Sequence, residues 1–124
     1  MENDELLIRD ISARLAYGVK CPVFDWDDDI QEEVQVDATI HSINKDGYVS
    51  MSEIDYGFSI SNIKPYLIPI SSMTDEQEKE FESITNGDRM LYSDVFDFFN
   101  RNHIDYRMLI ENGLAIDATN LNIY

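Results

Sequence analysis

The hydrophobic period of this chain changes from 3.6 to 2 near Gly18, and no other feature constrains the fold as strongly. Before that point Leu7, Ile11 and Leu15 recur at i, i+4 and i+8, and Ile8 widens the stripe. The spacing predicts a helix over residues 4–16. Asp4 and Glu5 suit its positive end, Arg14 its negative end, and Gly18 a stop. A helix this short is not stable alone in water, so its stripe must dock on another part of the chain.

Beyond Gly18 the residues alternate. Val19, Cys21 and Val23 interleave with Lys20 and Pro22. Val34, Val36, Ala38 and Ile40 interleave with Gln35, Asp37, Thr39 and His41. Val49 and Met51 interleave with Tyr48, Ser50 and Ser52, and Phe58 and Ile60 with Ser59 and Ser61. Each run reads as a strand with one face in and one face out. Asp46-Gly47 is a hairpin signal, because both residue types tolerate positive φ. Tyr56-Gly57 marks a second tight connection. Residues 67–70 form a last short strand, which Pro69 confines to an edge or ends.

Five short strands in so short a stretch do not make a large open sheet, and a small curled barrel is expected. The order is strand, long polar loop, two hairpin-linked strands, a short fourth strand, a tight turn at 62–66 and a fifth strand. That order resembles an SH3-like barrel in topology. The aromatic signature of proline-binding SH3 domains is absent, so the resemblance implies no peptide groove.

Beyond Ile70 the pattern is helical. Thr74, Asp75, Glu76 and Gln77 fit a capping box for a helix ending at Asn86-Gly87. Ser93 is placed to cap a second helix carrying Leu91, Val95, Phe98 and Phe99, with Phe96 alongside. Asp105 is placed to cap a third, with Met108, Leu109 and Ile110, that stops at Asn112-Gly113. Residues 114–124 alternate weakly. The expected fold class is therefore α+β: one helix, a five-stranded SH3-like β-barrel, and a C-terminal helical segment. Residues 1–73 would carry the helix and barrel, and residues 74–124 a helical extension packed on them as one cooperative unit.

Twenty-five acidic residues against nine basic ones give a formal charge of −16. Such a surface repels phosphate backbones and anionic membranes, so neither nucleic acid nor membrane is an expected partner. With 44% hydrophobic and 11% aromatic residues, the chain can still build a core, unlike a disordered polyelectrolyte. The lone Cys21 has no internal disulfide partner. Together with an acidic N-terminus unlike a signal peptide, this points to the cytoplasm.

The charge falls in two concentrations, residues 25–33 and 75–82. In Asp25-Trp26-Asp27-Asp28-Asp29-Ile30-Gln31-Glu32-Glu33, six of nine residues are acidic and none is basic. Asp25, Asp27 and Asp29 match the first three ligand positions of an EF-hand loop. Ile30 stands where that loop needs glycine and Val36 where it needs glutamate, so these are weak metal candidates. A solvated loop is the plain reading. The functional one is a contact for a basic protein, formed by Trp26, Asp27, Asp28, Glu32 and Glu33 with Trp26 as anchor.

The two histidines lie in different segments without ligand spacing. His41 falls on the outward phase of its strand, and His103 follows a helix whose C-terminal dipole suits an imidazolium. Cys21 sits in the apolar phase as a small core residue. Tyr48, Tyr56, Phe58 and Tyr66 read as barrel wall and rim, because Lys45 and Lys64 alone make no electrostatic funnel for bases.

The segments Lys64–Thr74 and Asn102–Ala118, with the terminal Asn120-Leu121-Asn122-Ile123-Tyr124, are similar to short uncharacterised proteins of gut bacterial genomes and their prophage-like elements. The resemblance covers about a third of the chain. It implies a mobile-element or phage-associated setting and no catalytic residue. The functional expectation is a non-enzymatic interaction module with no cofactor. One alternative is an acidic mimic of DNA that inhibits a nucleic-acid-binding enzyme; a second is a hydrolase working through carboxylates.

Overall fold

Helix α1 (Glu2–Arg14) buries Leu7 and Ile11 as its stripe requires, ends in a 3-10 turn over Leu15–Tyr17, and stops at Gly18 with φ +72°. A computed structural model describes residues 2–87 and 91–124. Four antiparallel strands come next: β1 (Lys20–Asp27), β2 (Glu32–Ile43), β3 (Tyr48–Met51) and β4 (Phe58–Ser59), hydrogen-bonded in that order. Asn44 builds the β2–β3 turn, its Oδ1 accepting from the N–H groups of Asp46 and Tyr48. Gly47 adopts φ +84° there. A register shift between Ile40 and Ser42 bends β2, so the sheet curls around the helix stripe. Cys21, Val23, Ala38, Ile40, Val49 and Met51 close this core against Leu7 and Ile11.

The result is α+β, with an N-terminal helix, a curled antiparallel half-barrel and a C-terminal helical region. It is not a closed five-stranded barrel, because the sheet has four strands. The expected fifth strand, β5 (Tyr66–Pro69), leaves the curl and centres a second sheet. There it pairs in parallel with β6 (Ile104–Asp105) and β7 (Ile116–Asp117). Parallel neighbours require a long crossover, and the helices after β5 supply it. Those helices are α2 (Asp75–Thr85) and α3 (Tyr92–Arg101). Phe98 and Phe99 of α3 with Ile104 form a second core, covered by Phe81 and Ile84 of α2.

The capping box of α2 forms as expected: Gln77 N–H donates to Thr74 Oγ1 at 3.1 Å, and Thr74 N–H to Gln77 Oε1 at 2.9 Å. Two other terminal assignments are corrected. Ser93 lies inside the first turn of α3, whose N-cap is Leu91 with no side-chain bond. No third helix forms at Asp105. Its buried carboxylate instead accepts from the N–H groups of Leu109 (3.0 Å), Ile110 (2.9 Å) and Arg107 (3.3 Å), and Met108 takes φ +60°. A side chain that gathers three amides competes directly with a helical ladder.

A buried ion pair ties α1 to the C-terminal half. Arg14 and Asp10 are both fully buried, joined through Nε–Oδ2 at 2.9 Å and Nη2–Oδ1 at 3.1 Å. Arg14 also donates to the carbonyls of Ile104 (2.7 Å) and Phe99 (3.5 Å). Arg107 approaches Asp10 at 3.6 Å, and the Tyr106 ring lies against both guanidinium groups, 5.3 Å from Arg14 and 4.9 Å from Arg107. The sequence signal is Asp10 and Arg14 standing one helical turn apart beside the apolar stripe. Among the described residues no helix is long and apolar enough to cross a membrane.

Candidate functional site

Strand β1 runs through the first part of the acidic segment to Asp27, and β2 begins at Glu32, so the expected long loop shrinks to Asp28–Gln31. Gln31 closes the turn with φ +58°, its N–H donating to Asp27 C=O at 2.8 Å, while Asp29 N–H donates to Asp27 Oδ1 at 2.9 Å. Strand β3 pairs with β2 from Ile40 to Ile43 and no further. Residues 24–27 with 32–35 therefore extend past the sheet as a two-stranded arm.

Strand alternation sorts the arm's side chains onto two faces. Phe24 and Trp26 share one, directly across from Gln35 and Glu33. Both aromatics are exposed, at 61% and 54%. The other face carries Asp25 and Asp27, across from Val34 and Glu32. Asp27 and Glu32 thus oppose each other as a like-charged pair, which destabilises the ribbon. A two-stranded ribbon is marginal in water at best. Asp25 is anchored, accepting from Tyr56 Oη at 2.7 Å and from Trp26 N–H at 3.0 Å. The Tyr56 hydroxyl is correspondingly harder to ionise, chiefly through that bond to Asp25.

Of the five partner-contact candidates, the arm joins Trp26 with Glu33 on one face and Asp27 with Glu32 on the other, with Asp28 in the turn. Phe24 is the arm residue that sequence reasoning misses. It lies two positions before Trp26, out of phase with Cys21 and Val23, a signal visible once the strand is carried through Asp25. The three metal candidates do not converge. Asp25 and Asp27 lie on the strand with oxygens engaged as above, Asp29 is in the turn, and no group of three His, Cys, Asp or Glu among the described residues could hold a metal ion.

The other titratable groups sit elsewhere. Cys21 is buried; burial first, then Asp37 and Glu53, pushes its thiol up to about 12. His41 is exposed on β2. His103 is not an imidazolium at a helix end: it is 8% exposed, and burial, with Arg14 and Lys20 nearby, pushes it down to about 4. It lines a cavity of about 430 Å³ with Gln77, Asn102, Thr119 and Tyr124.

Comparison with protein-family models, curated proteins and solved structures finds no match to this chain.

Proposed function

We propose that this protein is a non-enzymatic interaction module whose acidic β1–β2 arm docks a basic protein. The observation that carries the reading is the side-by-side exposure of Phe24 and Trp26 on a ribbon that no third strand supports. Paired exposed aromatics are anchors that a partner can bury. The opposed acids Asp27 and Glu32 make a cation the favourable occupant, since it relieves their repulsion. The resemblance of residues 64–74, 102–118 and 120–124 supports a mobile-element or phage-associated setting for the module.

The chain has one tryptophan, so its emission reports on the arm directly. Titration of the full chain with a lysine-rich peptide shifts Trp26 emission to shorter wavelength, and Trp26→Ala weakens binding about tenfold or more. Reversing charge on α2 with Glu78→Lys leaves the affinity within about twofold, because α2 packs on α3 and the second core and is no part of the arm. Equal losses from Trp26→Ala and Glu78→Lys, with competition by a basic DNA-binding domain for both patches, would favour the DNA mimic instead. Emission that stays at the solvent-exposed wavelength at saturation rejects the arm as the site.

A further inference from the structure

We infer that the partner engages the arm as an added β-strand, a basic extended segment pairing with the open edge of β2 over residues 33–37. The inference rests on the proposed docking at the arm and specifies its mode.

The direction of each backbone group is fixed by one bond. Ile40 N–H donates to Val19 C=O at 2.9 Å, which makes Val19 and Ile40 a hydrogen-bonded pair of the antiparallel ladder. Such pairs recur at every second position, so Cys21 with Ala38, Val23 with Val36 and Asp25 with Val34 are of the same kind. Glu33, Gln35 and Asp37 therefore turn their N–H and C=O groups away from β1. The position just beyond them shows that edge when it is covered: Thr39 C=O accepts from Ser52 N–H at 3.0 Å, and Thr39 N–H donates to the Glu53 carboxylate at 2.8 Å. From Asp37 to Glu33 no backbone partner is found on that edge among the described residues.

The outer edge of β1 is treated differently. Lys20 N–H is taken by Tyr124 Oη at 2.8 Å, Pro22 has no N–H, and Trp26 N–H is taken by Asp25, which leaves Phe24 as the one outward amide of β1 with no partner among the described residues. Proline and local side-chain caps are how a sheet edge is closed to other chains. The outer edge of β1 thus offers one open amide, at Phe24, where the edge of β2 offers three, at Glu33, Gln35 and Asp37.

Charge selects the occupant. A second copy would bring an identical acidic arm and a net −16 charge against the first, so self-pairing is opposed. Neighbouring strands place side chains of one face together. An added strand would set alternate residues beside Glu33, Gln35 and Asp37, and the intervening ones beside Val34 and Val36. The matching segment alternates basic and apolar residues over about 15 Å.

The test uses the full chain and a synthetic peptide of alternating lysine and valine. Amide hydrogen exchange at Glu33, Gln35 and Asp37 slows about tenfold or more on saturation, while Thr39 is unchanged. Methylating the peptide backbone at alternate nitrogens weakens binding about tenfold or more, and so does Gln35→Pro, which removes an N–H outside the β1–β2 ladder. The methylated peptide needs no variant to fold. Trp26-dependent binding with unchanged exchange and equal affinity for the methylated peptide overturns strand addition and leaves docking at the arm intact. No binding and no change in Trp26 emission overturns the docking reading, and strand addition with it.

Discussion

His103 lies flat against Tyr124, ring centroids 3.5 Å apart and planes 8° from parallel. Tyr124 is thereby held over the end of the crossover, where α3 leads into β6. Tyr124 Oη donates to Tyr66 C=O and accepts from Lys20 N–H, both at 2.8 Å, so a single hydroxyl joins β5 to β1. The residue is half-exposed, yet its hydroxyl sits inside, and burial raises its pKa. His103 itself takes φ +59°, a conformation that non-glycine residues other than Asn, Asp and His seldom adopt.

The buried imidazole makes stability depend on pH. Its pKa falls from 6.5 unfolded to about 4 folded, so between those values the unfolded chain binds more protons. Stability contributed by the neutral ring is fully present above pH 6.5 and is lost as pH falls towards 4. His103→Asn tolerates the left-handed backbone and does not titrate. The difference between the two proteins in urea-unfolding free energy, measured from pH 7 to pH 4, narrows by about 2 kcal/mol, discounted from the full shift because the ring borders an open cavity. A difference constant across that window would show that the ring titrates alike in the folded and unfolded chain.

The Asp10–Arg14 pair predicts a sharp asymmetry between single and double replacement. Asp10→Leu leaves a buried guanidinium without its carboxylate and destabilises by about 3–5 kcal/mol. Replacing both, as Asp10→Leu with Arg14→Met, recovers part of that loss, because desolvation of two charges disappears with them while the Ile104 and Phe99 carbonyls lose their donor. A double-mutant cycle in denaturant measures it, and additive losses would refute the coupling.

Gly47 cannot carry a side chain without strain. Its φ is +84°, and an added Cβ would stand 3.0 Å from Ile60 Cγ2. Gly47→Ala destabilises by about 1–3 kcal/mol, whereas Gly18→Asn, with φ +72° and open space around it, costs under about 1 kcal/mol. Thermal melts of the two variants rank them; equal midpoints would contradict the packing at Ile60.

The arm aromatics contribute to binding rather than to folding. Phe24→Ser and Trp26→Ala each change unfolding free energy by less than about 0.5 kcal/mol, since most of each ring already contacts solvent. Loss of more than that in denaturant titrations would mean that the arm is packed by its own chain.

Short-range chemistry is readable in residue order. The helix stripe at Leu7 and Ile11, the turn at Asp46-Gly47 and the capping box at Thr74–Gln77 each depend on neighbours a few positions apart, and each is present. Asp105 shows where local order stops being informative. As an isolated signal it is a helix cap, but a buried carboxylate facing several free amides holds a tight loop instead. The site divides the same way. Trp26 amid acids is visible in the sequence, whereas Phe24 beside it, and the opposition of Asp27 to Glu32, need the register of β1 on β2.

Sequence alone determined the α+β class, the positions of most elements, the burial of Cys21 and the location of the acidic run, because period, composition and caps are local quantities. Tertiary structure decided what those elements join. It took β5 out of the barrel and gave it two parallel partners from the far end of the chain. It made Arg14 a buried tie between α1 and Ile104 rather than a surface complement to a helix dipole. It also left the β2 edge of the arm more open than the β1 edge. Each of these rests on pairing between residues distant in sequence, and long-range pairing is set by which surfaces bury together, a quantity that no window along the chain contains.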